Sequence, residues 1–491
     1  MTITASNPLH LVTLGSALCL LVGACDPEPG GAALVELDDD DAVVGGAAPS
    51  SLAAEPSGSA TESLTQTPNI LFVVVDDIGV DNISAYDEHQ DSADTPSIDS
   101  LAADGVLFRN TWANPMCSPS RASLYTGRHA FRHGLLHPAG SHLSQSEETI
   151  AEILQTAGYA TAMFGKWHLG TNTGHTTPAD QGYDYFSGAL SGNIDDYFGW
   201  TKTTQEVVGG VTYESTTTET SYATSVNVAE AESWISQQSG PWMVTLAFNA
   251  GHSPFHVPPS SLQDYGLVGS EGDECDDGSG VDAIEDCYRA AVEAMDTELG
   301  NLVTWLDTEG ELDDTLIVFI GDNGTSGQVI IDDGVFSTTH GKTTVYEGGV
   351  NVPFIVYGPG VGVQQGVEIG DLVQGLDVFS TMVEVGGGTA TASTIDSQSL
   401  VDYLEGNSVS AARSFLYTEL YSTGQSVDRW ALTNGTAKYL YIEGSEECYN
   451  LNLDPGESNE KYASGGPVTN VCNQLSAQRP CEDTDECPAQ L

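Results

Sequence analysis

Several runs of apolar residues along the chain stop abruptly at polar chemistry. "NILFVVV" (Asn69 to Val75) is unbroken and rich in β-branched residues, and it ends at Asp76 and Asp77. "ATAMF" (Ala160 to Phe164) runs into "GKWHLG", "WMVTLAF" (Trp242 to Phe248) into "NAGHSPFHVP", and "TLIVFIG" (Thr315 to Gly321) into "DNG". Continuous apolar runs of this length suit strands covered on both faces, as in a parallel sheet, rather than strands with one wet face. Between them the period changes to that of a helix. "SQSEETIAEILQTAGY" places Ile150, Ile153, Leu154 and Ala157 on one face, with Ser144 and Glu147 in a capping-box relation and Gly158 as a stop. "DAIEDCYRAAVEAMDTELGNLVTWLDTEG" spaces Ile284, Ala291, Met295, Leu299, Leu302 and Leu306 at helical intervals and ends at Gly310.

Strands alternating with helices predict an α/β domain with a mostly parallel sheet, whose ligands bind beyond the carboxyl ends of the strands. "SFLYTELY", "RWALTNG" and "KYLYI" read instead as antiparallel strands of a smaller C-terminal α+β domain. The boundary is expected between Gly366 and Gly388. The expected division is 1–25 for export, 26–67 for a linker, 68–370 for the catalytic domain and 371–491 for the smaller domain with a Cys-rich tail.

The termini follow a different logic. Leu9 to Ala24 is apolar apart from His10, Thr13 and Ser16, too short for a comfortable membrane span and suited to a signal-peptide core. It ends in "LVGAC", which resembles a bacterial lipobox with Cys25 as the lipidated residue. Asp26 to Pro68 is Gly, Ala, Ser, Pro and acid without periodicity, the pattern of a disordered tether. The expectation is a protein exported to the cell envelope (periplasm or cell surface) and held there by lipid at Cys25. Cys117 stands alone, whereas Cys275, Cys287, Cys448, Cys472, Cys481 and Cys487 make an even set. Export favours disulfides among them. Cys275–Cys287 is the favoured local loop and the other pairings stay open, with a zinc site the weaker alternative because no CxxC pair occurs.

Charge narrows the partners. Lys and Arg total 13 against 70 Asp and Glu, a formal net charge of −57. Nucleic acid is excluded as a partner, since its binding rests on cations that neutralise phosphates. Anionic membrane surfaces and polyanions are disfavoured for the same reason, leaving a lipid anchor as the route to a membrane. Yet Arg109, Arg121, Arg128 and Arg132 gather around Cys117.

The strand ends carry the candidate chemistry. Alone, "DD" is a turn or cap and "DNG" an ordinary turn. Together, Asp76, Asp77, Asp322 and Asn323 offer the carboxylate and amide oxygens that a hard divalent ion requires. The absence of Cys and His from that set favours Ca²⁺ or Mg²⁺ over Zn²⁺, and export favours Ca²⁺. Lys166, His168, His252 and Lys342 add cationic and proton-transfer groups.

"CSPSRASLYTGR" (Cys117 to Arg128) resembles the sulfatase signature C-x-P-S-R-x4-T-G-R. "GKWHLG" and "GKTTVYEGGVNVP" (Gly341 to Pro353) resemble two further blocks of that family. Asn351 stands where the family has Arg. "CYNLNLDPGESNE" resembles its closing segment, so the likeness runs from about Pro68 to Lys461. "FSGALSGNIDDYF" and "LAFNAGHSPFHVP" are similar to the arylsulfatase B-like branch. The resemblance implies an alkaline-phosphatase-like fold and hydrolysis of an aryl or carbohydrate sulfate. It implies that a formylglycine-generating enzyme oxidises Cys117 and that the aldehyde hydrates to a geminal diol. One hydroxyl attacks sulfur and the other expels sulfate. It further implies a metal held by Asp76, Asp77, Asp322, Asn323 and the oxidised Cys117. Arg121 steadies the diol, and Lys166, His168, His252 and Lys342 surround the sulfate. Asp322 is the expected base, His252 and Lys342 the candidates to protonate the leaving oxygen, and His168 the promoter of elimination. Arg128 and His129 are expected just behind the site, Arg109 and Arg132 in the scaffold. The rival readings are a phosphonate or phosphate ester hydrolase of the same superfamily and a catalytically silent binding protein.

Overall fold

The computed structural model describes residue 64 and residues 67–479, apart from 90, 140–141, 171–175, 277–282, 331–335, 393–394, 408–410, 424–426 and 461–466. The signal, the lipobox with Cys25, most of the linker, and Cys481 and Cys487 lie outside the described residues. A ten-stranded sheet is built from β1 (Asn69–Val75), β2 (Val106–Trp112), β3 (Ala160–Lys166), β4 (Tyr185–Ala189), β5 (Trp200–Val208), β6 (Val211–Glu219), β7 (Trp242–Ala247), β8 (Thr315–Gly321), β9 (Phe354–Tyr357) and β10 (Val367–Gln374). Its order is β10-β2-β9-β8-β1-β7-β3-β4-β5-β6. From β8 to β4 the neighbours are all parallel, and β9, β5 and β6 join antiparallel. A second, four-stranded antiparallel sheet runs in order through β11 (Leu416–Tyr421), β12 (Val427–Thr433), β13 (Ala437–Ile442) and β14 (Ser445–Asn450).

The four apolar runs are the central strands β8, β1, β7 and β3. Every residue of β1 is buried. Ile70, Phe72 and Val74 enter the core on one face, and Leu71, Val73 and Val75 enter the core on the other. Helices Cys117–Thr126, Ile150–Thr156 and Asp377–Val385 cover the first face. Pro96–Ala103, Ala223–Ile235 and Ile284–Glu309 cover the second. This double cover is why the strands read as unbroken hydrophobic runs. Among the described residues no helix is long and apolar enough to cross a membrane.

The structure departs from the expected elements at several points. The capping box of the helix Ile150–Thr156 is Thr149 with Glu152, not Ser144 with Glu147, and Ala157 is exposed. Both pairs fit the same spacing, and in the structure Thr149 Oγ1 accepts the Glu152 amide while Glu152 accepts the Thr149 amide. The long helix Ile284–Glu309 ends at Gly310 in the left-handed region, as its sequence implies. The expected boundary at 370/371 falls inside β10, an edge strand of the large sheet, and the small sheet begins at Leu416. Cys275–Cys287 and Cys448–Cys472 are disulfides.

Candidate active site

Four adjacent strands deliver the pocket from their carboxyl ends. β1 hands on Asp76 and Asp77, and β8 hands on Asp322 and Asn323. β3 ends at Lys166 with His168 just beyond, and the loop after β7 carries His252. Cys117 opens the helix Cys117–Thr126, buried along its whole length, and Arg121 lies one turn in. Lys342 comes from the segment before the short helix Glu347–Val350.

Each cation meets a carboxylate. Arg121 Nε donates to Asp322 Oδ2 at 2.7 Å and Nη1 to the Lys166 carbonyl at 3.0 Å. Lys166 Nζ pairs with Asp76 Oδ2, and Lys342 Nζ lies 2.5 Å from Asp77 Oδ1. Asn323 Nδ2 donates to Asp77 Oδ1 at 2.9 Å. Cys117 Sγ lies 3.2 Å from His168 Nδ1. His252 Nε2 is 4.0 Å from Asp77 Oδ2, while its Nδ1 lies 2.7 Å from the Ser253 carbonyl. A carbonyl only accepts, so Nδ1 carries the proton and Nε2 presents its lone pair to the pocket. Asp77, His168 and Thr343 adopt φ of 58°, 57° and 71°. Left-handed backbone is uncommon for such residues, and here it falls on two pocket residues and on the neighbour of a third, Lys342.

Burial sets the protonation. It lowers His252 to about 4, with Lys166 adding to the effect, so the imidazole is neutral near pH 7. Burial, followed by the same ammonium, holds His168 well below its usual value. Burial and then the Asp76 charge push Asp322 up to about 6 against Arg121. Burial opposes ionisation of Asp77, yet Lys342 above all and then His252 hold it below the usual carboxylate range. Burial raises the Cys117 thiol, so the unmodified side chain is a poor nucleophile near neutral pH.

The pocket fits a hard cation. Asp76 Oδ1 and Asn323 Oδ1 are buried acceptors without a hydrogen-bond donor. Asp76, Asp77 and His252 each offer a ligand atom within 4.8 Å of the others. Two carboxylates and an amide oxygen suit an oxygen-seeking ion. His252 joins that set here, where its sequence reading places it around the sulfate as a candidate proton donor.

All the residues singled out at the strand ends converge, but most of the arginine cluster does not. Arg128 pairs with Glu147, Arg132 with Asp396 and Arg109 with Glu368, and His129 packs against Tyr417. Supporting groups escaped the sequence reading. Buried Asp81 accepts from Thr325 Oγ1 at 2.7 Å, and the Thr325 carbonyl accepts the Lys342 amide at 2.7 Å. Asp81 follows five residues after Asp76 in "DDIGVD", the one local hint to it. Gly192 lies against the His168 ring, where a Cβ would come within 2.1 Å of Nε2. Tyr197 Oη donates to the His252 carbonyl at 2.9 Å, so the segment after β4 backs both histidines.

Comparison with known proteins agrees with this geometry. The sulfatase family model matches residues 68–388. Mouse arylsulfatase J is 26% identical over a segment covering 66% of this chain and 53% of its own length. Rat N-acetylgalactosamine-6-sulfatase is 27% identical, covering 86% of this chain and 92% of its own. The fold is similar to that of Ps i-CgsB, solved in complex with k-i-k-neocarrahexaose, at a TM-score of 0.68 and 22% identity over 84% of this chain and 92% of that one. It is also similar to that of a phosphonate monoester hydrolase of Agrobacterium radiobacter, at a TM-score of 0.64 and 22% identity over 84% and 94%. The chain belongs to the sulfatase family of the alkaline phosphatase superfamily.

Proposed function

We propose that this chain, a sulfuric ester hydrolase by family, works through Cys117 oxidised to formylglycine and a bound Ca²⁺. The observation that carries the reading is the pairing of Arg121, Lys166 and Lys342 with Asp322, Asp76 and Asp77 around Cys117, beside two buried oxygens that lack donors. Asp76, Asp77, Asp322 and Asn323 would hold the ion, which supplies positive charge against the sulfate oxygens. The ordinary thiol would be a weak nucleophile here, and the hydrated aldehyde gives that position two hydroxyls. Asp322, ionised above about pH 6, takes the proton of the attacking hydroxyl. Arg121, hydrogen-bonded to Asp322, fixes its carboxylate and offsets charge as the sulfur centre is attacked. Lys342 is the donor to the leaving oxygen. Neutral His252, with its Nε2 lone pair inward, is a ligand or acceptor rather than that acid. His168, next to Cys117, takes the second hydroxyl's proton as sulfate departs.

The substrate is a sulfated carbohydrate or aryl ester, the former favoured by the sugar named in the rat relative and the one bound to Ps i-CgsB. Maturation requires a formylglycine-generating enzyme. Export to the cell envelope with a lipid at Cys25 is part of the proposal, supported by the Cys275–Cys287 and Cys448–Cys472 disulfides. Tryptic mass spectrometry of protein from its native cell should find formylglycine at Cys117, and the purified enzyme should prefer an aryl sulfate over the matching phosphonate. An active enzyme with only unmodified thiol, or a preference for the phosphonate, overturns the reading.

A further inference from the structure

The small sheet holds a buried ion cluster that the reaction does not use. Lys438, on β13, is fully buried. Its ammonium lies 3.0 Å from Glu347 Oε1, 2.9 Å from Glu457 Oε1 and 4.6 Å from the centre of the Trp112 ring. A lysine without water is held only by partners of this kind, and both glutamates are themselves buried. Each belongs to a different segment. Glu457 sits in the "DPGES" turn with φ of 55°, and its Oε2 accepts the Glu347 amide at 2.5 Å. Asp454 closes that turn by accepting the Ser458 and Asn459 amides. Glu347 starts the short helix five residues after Lys342 and also accepts Trp112 Nε1 at 3.3 Å.

The intervening residues leave little slack between the cluster and the pocket. The Thr343 amide donates to the Pro115 carbonyl at 2.8 Å, the Lys342 amide to Thr325, and Thr343 itself is left-handed. Tyr346 is fixed from the small sheet as well, its hydroxyl donating to Glu447 at 2.8 Å while its ring stacks on His340 at 3.7 Å. Arg429 Nη1 reaches the Thr343 carbonyl at 3.4 Å. The segment carrying Lys342 is thus fastened at its far end by side chains from β12, β13, β14 and the turn beyond.

We propose that Lys438, with Glu347 and Glu457, is a positioning group that sets the Lys342 ammonium against Asp77, so that the C-terminal sheet completes the active site from behind. The role given to Lys342 in turnover rests on the sulfatase reading, whereas the placement of its amine does not. Lys438→Met combined with Glu457→Gln removes one positive and one negative charge, which avoids stranding an extra buried carboxylate. kcat should fall by about ten- to a hundred-fold with little change in KM, because a displaced proton donor is felt mainly in the transition state. In a Lys342→Ala background the same pair should cost no further activity. Labelling by an amine-reactive ester, read by mass spectrometry with Lys202 as internal reference, should rise at Lys342. Full kcat in the folded variant, a loss that persists undiminished in the Lys342→Ala background, or unchanged labelling overturns the proposal. If the paired variant does not fold, Tyr346→Phe decides by the same labelling, a rise supporting the clamp and no change refuting it. If the wild type turns over no sulfate ester, the sulfatase reading fails while the labelling still tests the clamp.

Discussion

Arg121 offers the sharpest test of how the pocket is balanced. Its guanidinium is fully buried, 2.7 Å from Asp322 and 4.0 Å from Asp76. Arg121→Met in chelator-treated protein leaves Asp76 its Lys166 partner but strips Asp322 of its closest cation. Breaking one side of a buried pair costs about 3–5 kcal/mol, in line with about 4 kcal/mol for unit charges 4 Å apart at an effective dielectric of 20. Asp322 can escape that cost by taking up a proton. Its carboxyl already titrates at about 6 in the folded protein, above the 3.8 of an unperturbed aspartate, and loss of Arg121 moves it higher. A folded-state value raised in this way means stability that is complete below the unfolded value and is lost as pH rises through the folded one. The variant should therefore lose about 3–5 kcal/mol at pH 8 and only about 1–2 kcal/mol at pH 5, where the carboxyl is protonated. Urea unfolding of wild type and variant at both pH values measures this, and added Ca²⁺ should recover part of the loss at pH 8. A loss below about 1 kcal/mol at pH 8, or one equal at the two pH values, refutes the view that Arg121 compensates a buried ionised Asp322.

Two further outcomes follow from the same logic. Glu419, which accepts from the Tyr417 and Tyr421 hydroxyls and the Phe131 amide, is raised by burial from 4.5 to about 7, so stability should fall by about 3 kcal/mol as pH rises from about 4.5 to 7. Glu419→Gln should flatten that slope in thermal melts, and an unchanged slope would exclude this carboxyl as its source. On the proposed metal site, Asp77→Ala should remove both Ca²⁺ binding, measured by elemental analysis, and turnover, since it would take away an anionic ligand. A full metal complement at near-normal rate would exclude the site.

The legible part of the fold was the part covered on both faces. β1, β3, β7 and β8 are unbroken in sequence because helices bury both sides, and the polar residue ending each run falls at one edge of the sheet. Strands with wet or mixed surroundings left no comparable signal. β2 carries half-buried Arg109 and Asn110 in mid-strand, and all but the last residue of β6 is exposed. The arginine cluster divides for a related reason. Gly127 ends the helix that carries Arg121, and the chain turns away, leaving Arg128 to Glu147 and Arg132 to Asp396. Closeness in sequence survived as closeness in space only within the helix. The Lys438 cluster was invisible because nothing local marks residues 91 positions apart as partners.

The distribution of cations gives the low Lys and Arg content a functional sense. Every described Lys and Arg pairs with a carboxylate, save Arg479, which lies over the Trp430 ring. In the pocket the balance is local. Arg121, Lys166 and Lys342 carry three positive charges, Asp76, Asp77 and Asp322 carry three negative ones once ionised, and the depressed histidines add none. Three minus three leaves no net charge to hold sulfate, inside a protein whose overall charge of −57 repels it. A divalent ion on the carboxylates would change the sum to plus two, which matches an inorganic sulfate dianion and exceeds a monoanionic ester. Metal and sulfate affinity would then be linked, each favouring the other by the same factor, as any pair of coupled ligands must be. The long-range repulsion is screened by salt and the short-range balance is not, so attraction for a sulfate ester would come from an ion added to the buried pairs rather than from the surface field.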